Sequence, residues 1–331
     1  MSILYLAEQG SKVSKEGNRV LIRKDEILLL DVSLFKIDTV VVLGNVQFST
    51  QAMGDILTKG IDIAFLTIQG RLKGRVESYK SRNVPLKIRQ YEAHKDHVEK
   101  LALAKVFITA KAGNAIQLLK SYNYRDKEIG LEDDIKEMER KSALIQDKTD
   151  IEGLMGTEGY IARVYFTGFM KIVNRDRIVM EKREQRGSFS YVNQMLSLGY
   201  ICVMNEIMGL LNAAGLDPHI GFLHSLDYGR PSLALDMLEE YRQPVIDRFT
   251  MNLVNKCTII TDDFEAKEEG MRLTQDGIKK YFKFYEEWMK EPVREYRGAK
   301  TSFRDIMQKQ AGGFAASLRD KKQYTPYMMK D

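Results

Sequence analysis

Four residues in this 331-residue chain have the types that hold a hard divalent cation next to a phosphate. Glu158 stands between Gly156 and Gly159 in "LMGTEGYIARVYF". His224, one of four histidines, lies in the loop "GFLHSLDYGR". Asp236 and Glu239 follow in "PSLALDMLEEYR". Glu158, His224 and one or both of Asp236 and Glu239 together offer mixed oxygen and nitrogen ligands. That set suits Mn²⁺ or Mg²⁺, and the imidazole tilts it towards Mn²⁺. Each residue also has a plain structural reading. Asp236 and Glu239 are i and i+3 on one helix face, with Cβ atoms about 5–6 Å apart, and Glu240 lies beside them. They could equally form a solvated acidic face paired with Arg242. His224 could be a packing residue of its loop, and Glu158 an exposed residue at a helix crossing. Glycine inside a helix costs about 1 kcal/mol against alanine. Two glycines around one glutamate therefore predict a close backbone approach there, by a ligand or another element. No local spacing ties the three ligands together, so their convergence is left to the fold.

Basic residues accompany the carboxylates. Arg163, Lys171, Arg175, Arg177, Lys182, Arg183 and Arg186 follow Glu158. Arg230, Arg242 and Arg248 surround the acidic helix. Arginine interleaved with carboxylates suits a site that takes both a metal and a phosphodiester. Arg163, Arg186, Arg242 and Arg248 are the candidate contacts to a nucleic-acid backbone. The net charge of +5 permits a polyanionic partner without demanding one. His94 and His97 are i,i+3 in "EAHKDHVEK", but no third ligand is evident, and a solvated helical face is the expectation. "QGRLKGRVES" lacks the spacing of a phosphate loop and reads as a basic β-hairpin. The two cysteines, Cys202 and Cys257, sit in apolar stretches and read as buried free thiols of a reducing cytoplasm. No apolar run approaches the ~20 residues that span a bilayer. "MSILYLAEQG" has no basic n-region, so neither a secretory signal nor a membrane partner is expected.

The elements that must position these residues fall into two textures. Up to residue ~80 the chain is a series of short runs rich in Val, Ile and Leu: Ile3 to Leu6, Arg19 to Arg23, Ile27 to Val32, Thr39 to Leu43, Ile61 to Leu66 and Arg71 to Glu77. Gly and Asn separate them, and only Gln51 to Lys59 has helical spacing. After Pro85 the apolar period becomes three to four. A helical run covers Ile88 to Tyr122, and further helices are predicted near 134–147, 151–173, 191–214, 232–242, 245–257, 275–290 and 302–319. Asp150, Ser232, Thr274 and Thr301 are candidate N-caps. Residues 174–190 read as a polar loop, and the tail from Lys321 as frayed. The fold class is therefore α+β, with an N-terminal β-sandwich-like domain over residues 1–84 and a larger α-helical catalytic domain over 85–331.

Several segments, in this order, resemble one family. They are "LYLAEQGSKVSKEGNRVLI", "VVVLGNVQFSTQAM", "GIDIAFLT" and "GRLKGRVE", then "LMGTEGYIARVYF", "VNQMLSLGYI", "GFLHS" and "RPSLALDMLEEYRQPVIDR". Over nearly its whole length the chain is similar to the CRISPR-associated adaptation nuclease, the metal-dependent integrase that inserts new spacers into a CRISPR array. The resemblance implies that Glu158, His224 and Glu239 bind the metal, with Asp236 the neighbouring acidic residue of the catalytic set. It implies a homodimer that works with a small ferredoxin-like adaptation partner on double-stranded and branched DNA. The segment "REQRGSFSY" departs from the family, which commonly carries a proline-rich run there.

The activity this implies is attack of a 3′-hydroxyl on a phosphodiester. That exchange needs no nucleotide cofactor, in keeping with the lack of a Walker-type loop. One rival is a non-catalytic DNA-binding scaffold subunit of the same complex. Another is a metal hydrolase of small phosphoesters.

Overall fold

In the computed structural model the described residues are 3–67, 72–78, 83–173, 180, 182–184, 189–268, 270–292, 294–296 and 298–329. The chain divides into two compact units, Met1–Arg82 and Asn83–Asp331. The class is α+β, with strands first and helices after.

The first unit holds β1 (Ile3–Leu6), β2 (Lys12–Glu16), β3 (Arg19–Lys24), β4 (Ile27–Ser33), β5 (Thr39–Leu43), β6 (Gln47–Phe48), α1 (Thr50–Thr58), β7 (Asp62–Leu66) and β8 (Leu72–Val76). They form two four-stranded sheets, ordered β1-β5-β7-β8 and β4-β3-β2-β6. In the first sheet β1, β5 and β7 run parallel and β8 returns antiparallel. All five residues of β5, TVVVL, are buried, as befits a central parallel strand covered on both faces. Val20, Ile22, Val40, Val42, Ile56 and Ile63 build the core of this unit. Ser49 caps α1 by accepting from the Ala52 N–H at 3.2 Å. Strand β2 escapes the sequence pattern because Val13 is its one buried residue. The stretch Gln69 to Ser78, expected to form a hairpin by itself, supplies only one strand, β8, which pairs with the preceding β7, and its residues 69–71 lie outside the described set.

The second unit holds α2 (Val84–Lys95), α3 (His97–Arg125), α4 (Glu132–Ser142), α5 (Ile151–Val173), α6 (Tyr191–Ala213), α7 (Ser232–Leu238), α8 (Arg248–Asn255), α9 (Gln275–Lys290) and α10 (Phe303–Asp320). Two short hairpins interrupt the helices: β9 (Phe264–Lys267) with β10 (Gly270–Leu273), and β11 (Arg294–Tyr296) with β12 (Ala299–Thr301). The run expected from Ile88 to Tyr122 is two helices. Asp96 is extended between them and caps α3 through the Val98 and Glu99 N–H groups. This break corrects the expectation for His94 and His97, which do not share a solvated helix face. His94 Nδ1 lies 2.6 Å from the Gly221 carbonyl oxygen.

The caps also differ from expectation. Thr274 caps α9 and Asp150 receives the Gly153 N–H. Ser232 is the first residue of α7 behind Pro231, and its hydroxyl donates to the Ser225 carbonyl at 2.6 Å instead. Ser302, not Thr301, caps α10. A π-helical turn over Arg242–Asp247 follows α7. Pro244 has no N–H for an α-helical bond there, and a wider turn accommodates it.

Helix α6 corrects the expectation about apolar length. It is long and apolar enough to cross a bilayer, but 72% of its apolar window is buried within the protein, as in a core helix. It is tied in by Arg304 of α10, which makes a two-pronged bond to Glu206 at 2.9 and 3.0 Å. Cys202 of α6 is buried, whereas Cys257 is exposed, contrary to expectation, because it ends α8 in a left-handed turn at φ 49°. The tail is not frayed over its described residues. Tyr324 and Tyr327 are buried, 3% and 4% exposed, against the segment that follows α7.

Candidate functional site

Helices α3, α5 and α7 and the loop before α7 each bring one charged or ligating side chain to a common point. On α5, Glu158 faces α3, where Lys111 donates to it. Lys111 Nζ also lies 2.6 Å from Glu239 Oε2, just past α7. Glu239 is buried. Burial pushes its carboxyl up, but chiefly Arg242 and Lys111 outweigh that and hold it down at about 2. Arg242 Nε donates to Glu239 Oε1 at 3.0 Å.

His224 is held by Asp236. Asp236 is fully buried and accepts from four groups of one loop. Its Oδ2 takes the Phe222 and Leu223 N–H groups, the latter at 3.0 Å. Its Oδ1 takes the His224 N–H at 2.9 Å and meets His224 Nδ1 at 2.7 Å. A buried carboxylate facing Nδ1 makes that nitrogen the donor. The Nε2 lone pair is then free, and Nε2 lies 4.0 Å from Glu239 Oε1. Asp236 and Glu239 thus flank the imidazole from one helix, as their i,i+3 spacing predicts. They are not a solvated face. Glu240 points elsewhere, into the tail: Tyr324 Oη donates to its Oε1 at 2.8 Å.

The loop reaches this position because Gly221 has no side chain. A Cβ there would stand 2.6 Å from the Ser232 carbonyl carbon, 2.7 Å from Asp236 Oδ2 and 2.8 Å from the Leu233 nitrogen. Two of those three atoms are backbone, so they cannot yield cheaply. Gly221→Ala is expected to destabilise the helical unit by about 1–3 kcal/mol. Thermal unfolding checks this, and an unchanged midpoint would mean the loop does not pack on α7 as described.

The glycines around Glu158 behave differently from expectation. A Cβ at Gly156 or Gly159 would meet nothing within 4 Å. The close approach on α5 is at Gly168 instead, where a Cβ would lie 2.9 Å from Leu119 Cδ1 of α3. Gly159 opens onto a cleft of about 620 Å³. Lys111, Glu158, His224 and Glu239 line it, together with Arg163, Arg183, Arg230 and Arg242.

The predicted arginines separate here. Arg163 lies over the Tyr160 ring at 4.8 Å and Arg242 over the Tyr200 ring at 4.5 Å. Arg248 does not line the cleft; its titratable neighbours are Tyr122, Arg125 and Tyr327, and burial lowers its pKa. Arg186 lies outside the described residues, as do Arg175 and Arg177. Arg183 approaches the Tyr200 ring at 5.6 Å and donates to Asn193 Oδ1 at 2.9 Å. Beneath them Asp247 accepts from Tyr200 and, at 2.7 Å, from Tyr165. Burial pushes the Asp247 carboxyl up to about 6, against those hydrogen bonds and both arginines.

Sequence reasoning missed Lys111, Tyr200 and Asp247. The one available signal was at Lys111, a charged residue between the buried Ala110 and Ala112.

The donors fit a hard divalent cation in chemistry. Glu239 Oε2 is buried and accepts no well-aligned hydrogen bond, although two cations stand near it. The imidazole presents an oriented free nitrogen. Among the described residues, no three His, Cys, Asp or Glu side chains are closed around one point as they stand. Lys111 stands between two of the three.

The sequence and the fold, strands followed by a helical unit, are similar to those of a set of known proteins. A family model described as "CRISPR associated protein Cas1" matches residues 4–287. A CRISPR-associated endonuclease Cas1 from Chlorobaculum tepidum is 33% identical, over 85% of this chain and 83% of its own. A casposase solved bound to integration product shares the fold at TM-score 0.86 and 23% identity, over all of this chain and 95% of that one. A Cas6-RT-Cas1–Cas2 complex contains a chain that superposes at TM-score 0.86 and 20% identity, over all of this chain and 36% of that one. The fold is one shared by Cas1 proteins and by a casposase. The chain belongs to the Cas1 family of CRISPR-associated proteins.

Proposed function

We propose that this protein is a divalent-metal-dependent DNA endonuclease and strand transferase of CRISPR adaptation. Its reaction is attack of a 3′-hydroxyl on a phosphodiester, which joins new spacer DNA to the repeat array. The observation that carries this is the meeting of Glu158, Glu239 and the Asp236-oriented His224 at the floor of an arginine-lined cleft. The names of the relatives support it, one an endonuclease and one a casposase on an integration product.

Glu158, His224 and Glu239 would hold Mn²⁺ or Mg²⁺. Such an ion polarises the scissile phosphate and lowers the pKa of the attacking hydroxyl. Asp236 fixes the imidazole so that Nε2 faces the ligand position. Arg163, Arg183, Arg230 and Arg242 take the DNA backbone, so binding falls steeply with salt. Arg242 is already aimed by Glu239 and Tyr200 and loses little freedom on binding.

The DNA is double-stranded and branched, and the protein works as a homodimer with a small ferredoxin-like partner of the Cas2 kind. Edge strand β4 supports the homodimer. Ile27, Leu28, Leu29 and Leu30 are exposed in a row there, with Phe35 nearby in sequence. An apolar, unpaired edge is what a second chain covers. The unpaired thiols fit work in the cytoplasm.

The test is Mn²⁺-dependent processing of a branched DNA that mimics a half-integrated spacer, with wild type and His224→Ala, each with and without EDTA. Product from the wild type that disappears with EDTA and with the substitution is expected. Equal product from both proteins would sink the proposal. DNA binding without product from either, even with the small partner present, would favour the scaffold role. Turnover of a small chromogenic phosphodiester without preference for branched DNA would point to a general phosphoesterase.

A further inference from the structure

Lys111 bridges Glu158 and Glu239 from the middle of α3, between buried alanines. Its side chain is 13% exposed. Arg242 also pairs with Glu239, but among the described residues the ion-pair partner of Glu158 is Lys111 alone. Two carboxylates brought to one point repel each other unless a cation stands between them. Here an ammonium does so, at the position two of the three candidate metal ligands would share.

We infer that Lys111 is a built-in placeholder cation: it holds Glu158 and Glu239 at one point in the metal-free protein, and metal entry displaces it. The inference rests on the metal-dependent reading above. A lysine suits the task better than an arginine. Its charge is compact enough to sit between two carboxylates, and its four-carbon stem can withdraw without moving the helix. The bridge keeps the metal-free site assembled, with His224 already oriented by Asp236. It also competes with the metal, so the affinity observed is lower than the bare ligands would give. Once released, Lys111 remains a residue of the cleft that receives the DNA, and its charge becomes available to a phosphate. Lys111 is thus a positioning residue for the metal ligands and, through them, for the reaction.

The test uses the full chain and Mn²⁺ alone. Titration calorimetry would compare the wild type with Lys111→Met and Lys111→Gln, with His224→Ala as the ligand control. Thermal unfolding with EDTA and with Mn²⁺ would accompany it. Both Lys111 variants are expected to bind Mn²⁺ on the order of tenfold more tightly than the wild type. Their metal-free forms should melt several degrees lower, and Mn²⁺ should restore the difference. Equal or weaker Mn²⁺ binding by the variants overturns the placeholder role, and leaves Lys111 a phosphate contact or a ligand-independent strut. Should neither variant fold, the wild type still decides. A Mn²⁺-soaked crystal in which Lys111 Nζ has left its position between the two carboxylates supports the inference, and one in which it still bridges them overturns it. If the wild type, both Lys111 variants and His224→Ala all fail to bind Mn²⁺, the metal reading itself fails, and that result is distinct from the others.

Discussion

Asp236→Ala is expected to lower DNA processing by about 100-fold while leaving DNA binding nearly intact. Asp236 need not touch the substrate for this. It accepts three backbone N–H groups and one imidazole N–H from a single loop. Without it, three buried donors lose their partner. Each orphaned donor costs about 1–3 kcal/mol, so the loop will rearrange to reach water instead. His224 then loses both its ring orientation and its tautomer. Mn²⁺ affinity should fall by about 10- to 100-fold, since an imidazole free to rotate must be ordered on binding. Arg163, Arg183 and Arg242 lie outside that loop and their contacts do not run through Asp236, while Arg230 is on it and is held by Ser225 and Asp227. Binding of branched DNA in EDTA should therefore change little. Asp236→Asn should fall between alanine and wild type. An amide still offers one acceptor oxygen, but its NH₂ meets an N–H where the carboxylate had an acceptor. Kinetics on branched DNA, paired with Mn²⁺ titration, separate these cases. Full activity in Asp236→Ala would mean that His224 orients itself or is not a ligand.

Much of this arrangement was readable before the structure because period and position carry it. Helices α5 and α9 begin and end where their apolar spacing does, and β1 and β5 coincide with their aliphatic runs. Those elements bury whole faces, so burial dictates sequence. Strand β2 did not show itself because Val13 is its only buried residue. The π turn was visible only as a break at Pro244, since local pattern cannot say how a chain bridges a missing N–H. The tail looked frayed for a related reason. Its tyrosines are spaced without period, and what buries them is aromatic rings from other parts of the chain, such as Phe107, Phe314 and Tyr241. The site divides in the same way. The i,i+3 pair Asp236 and Glu239 was legible because helix geometry sets it. The convergence of Glu158, His224 and Glu239 was not, because no local spacing links three elements; only the family resemblance supplied it. Lys111 was overlooked because a lysine in a helix ordinarily faces water, and the two carboxylates that hold it inward lie 47 and 128 residues away.

Ending the chain after Lys322 is expected to be the most destabilising of these changes. The described tail is a strap across the back of the site. Tyr324 Oη and the Tyr327 N–H both donate to the Glu240 carboxylate, at 2.8 and 2.7 Å. Asn114 of α3 donates to the Glu240 carbonyl at 2.8 Å and accepts the Met329 N–H at 2.7 Å. The Tyr327 ring stacks on Tyr241 at 6.0 Å. Removing two buried tyrosines forfeits about 1.5–3 kcal/mol of apolar burial each, before the lost hydrogen bonds are counted. At ~2–4 °C per kcal/mol for a unit of this size, the midpoint should drop by roughly 10 °C. Glu240 also adds a pH signature. Burial pushes its carboxyl up from 4.5 to about 8, against its two hydrogen bonds. The folded protein therefore keeps a proton that the unfolded chain has released, and stability from this group falls as pH rises from about 4.5 to about 8. Asp247 acts with the same sign, but only up to about 6. Glu240→Gln keeps an acceptor for the Tyr327 N–H and can donate to Tyr324 Oη. It should melt higher than the wild type at pH 8 and converge with it near pH 5. In the shortened chain Glu240 meets water, so the same substitution should change nothing there. Melting curves of the four proteins across pH 5–8 decide this, and an equal pH slope in wild type and Glu240→Gln would show that Glu240 stays ionised beneath the strap.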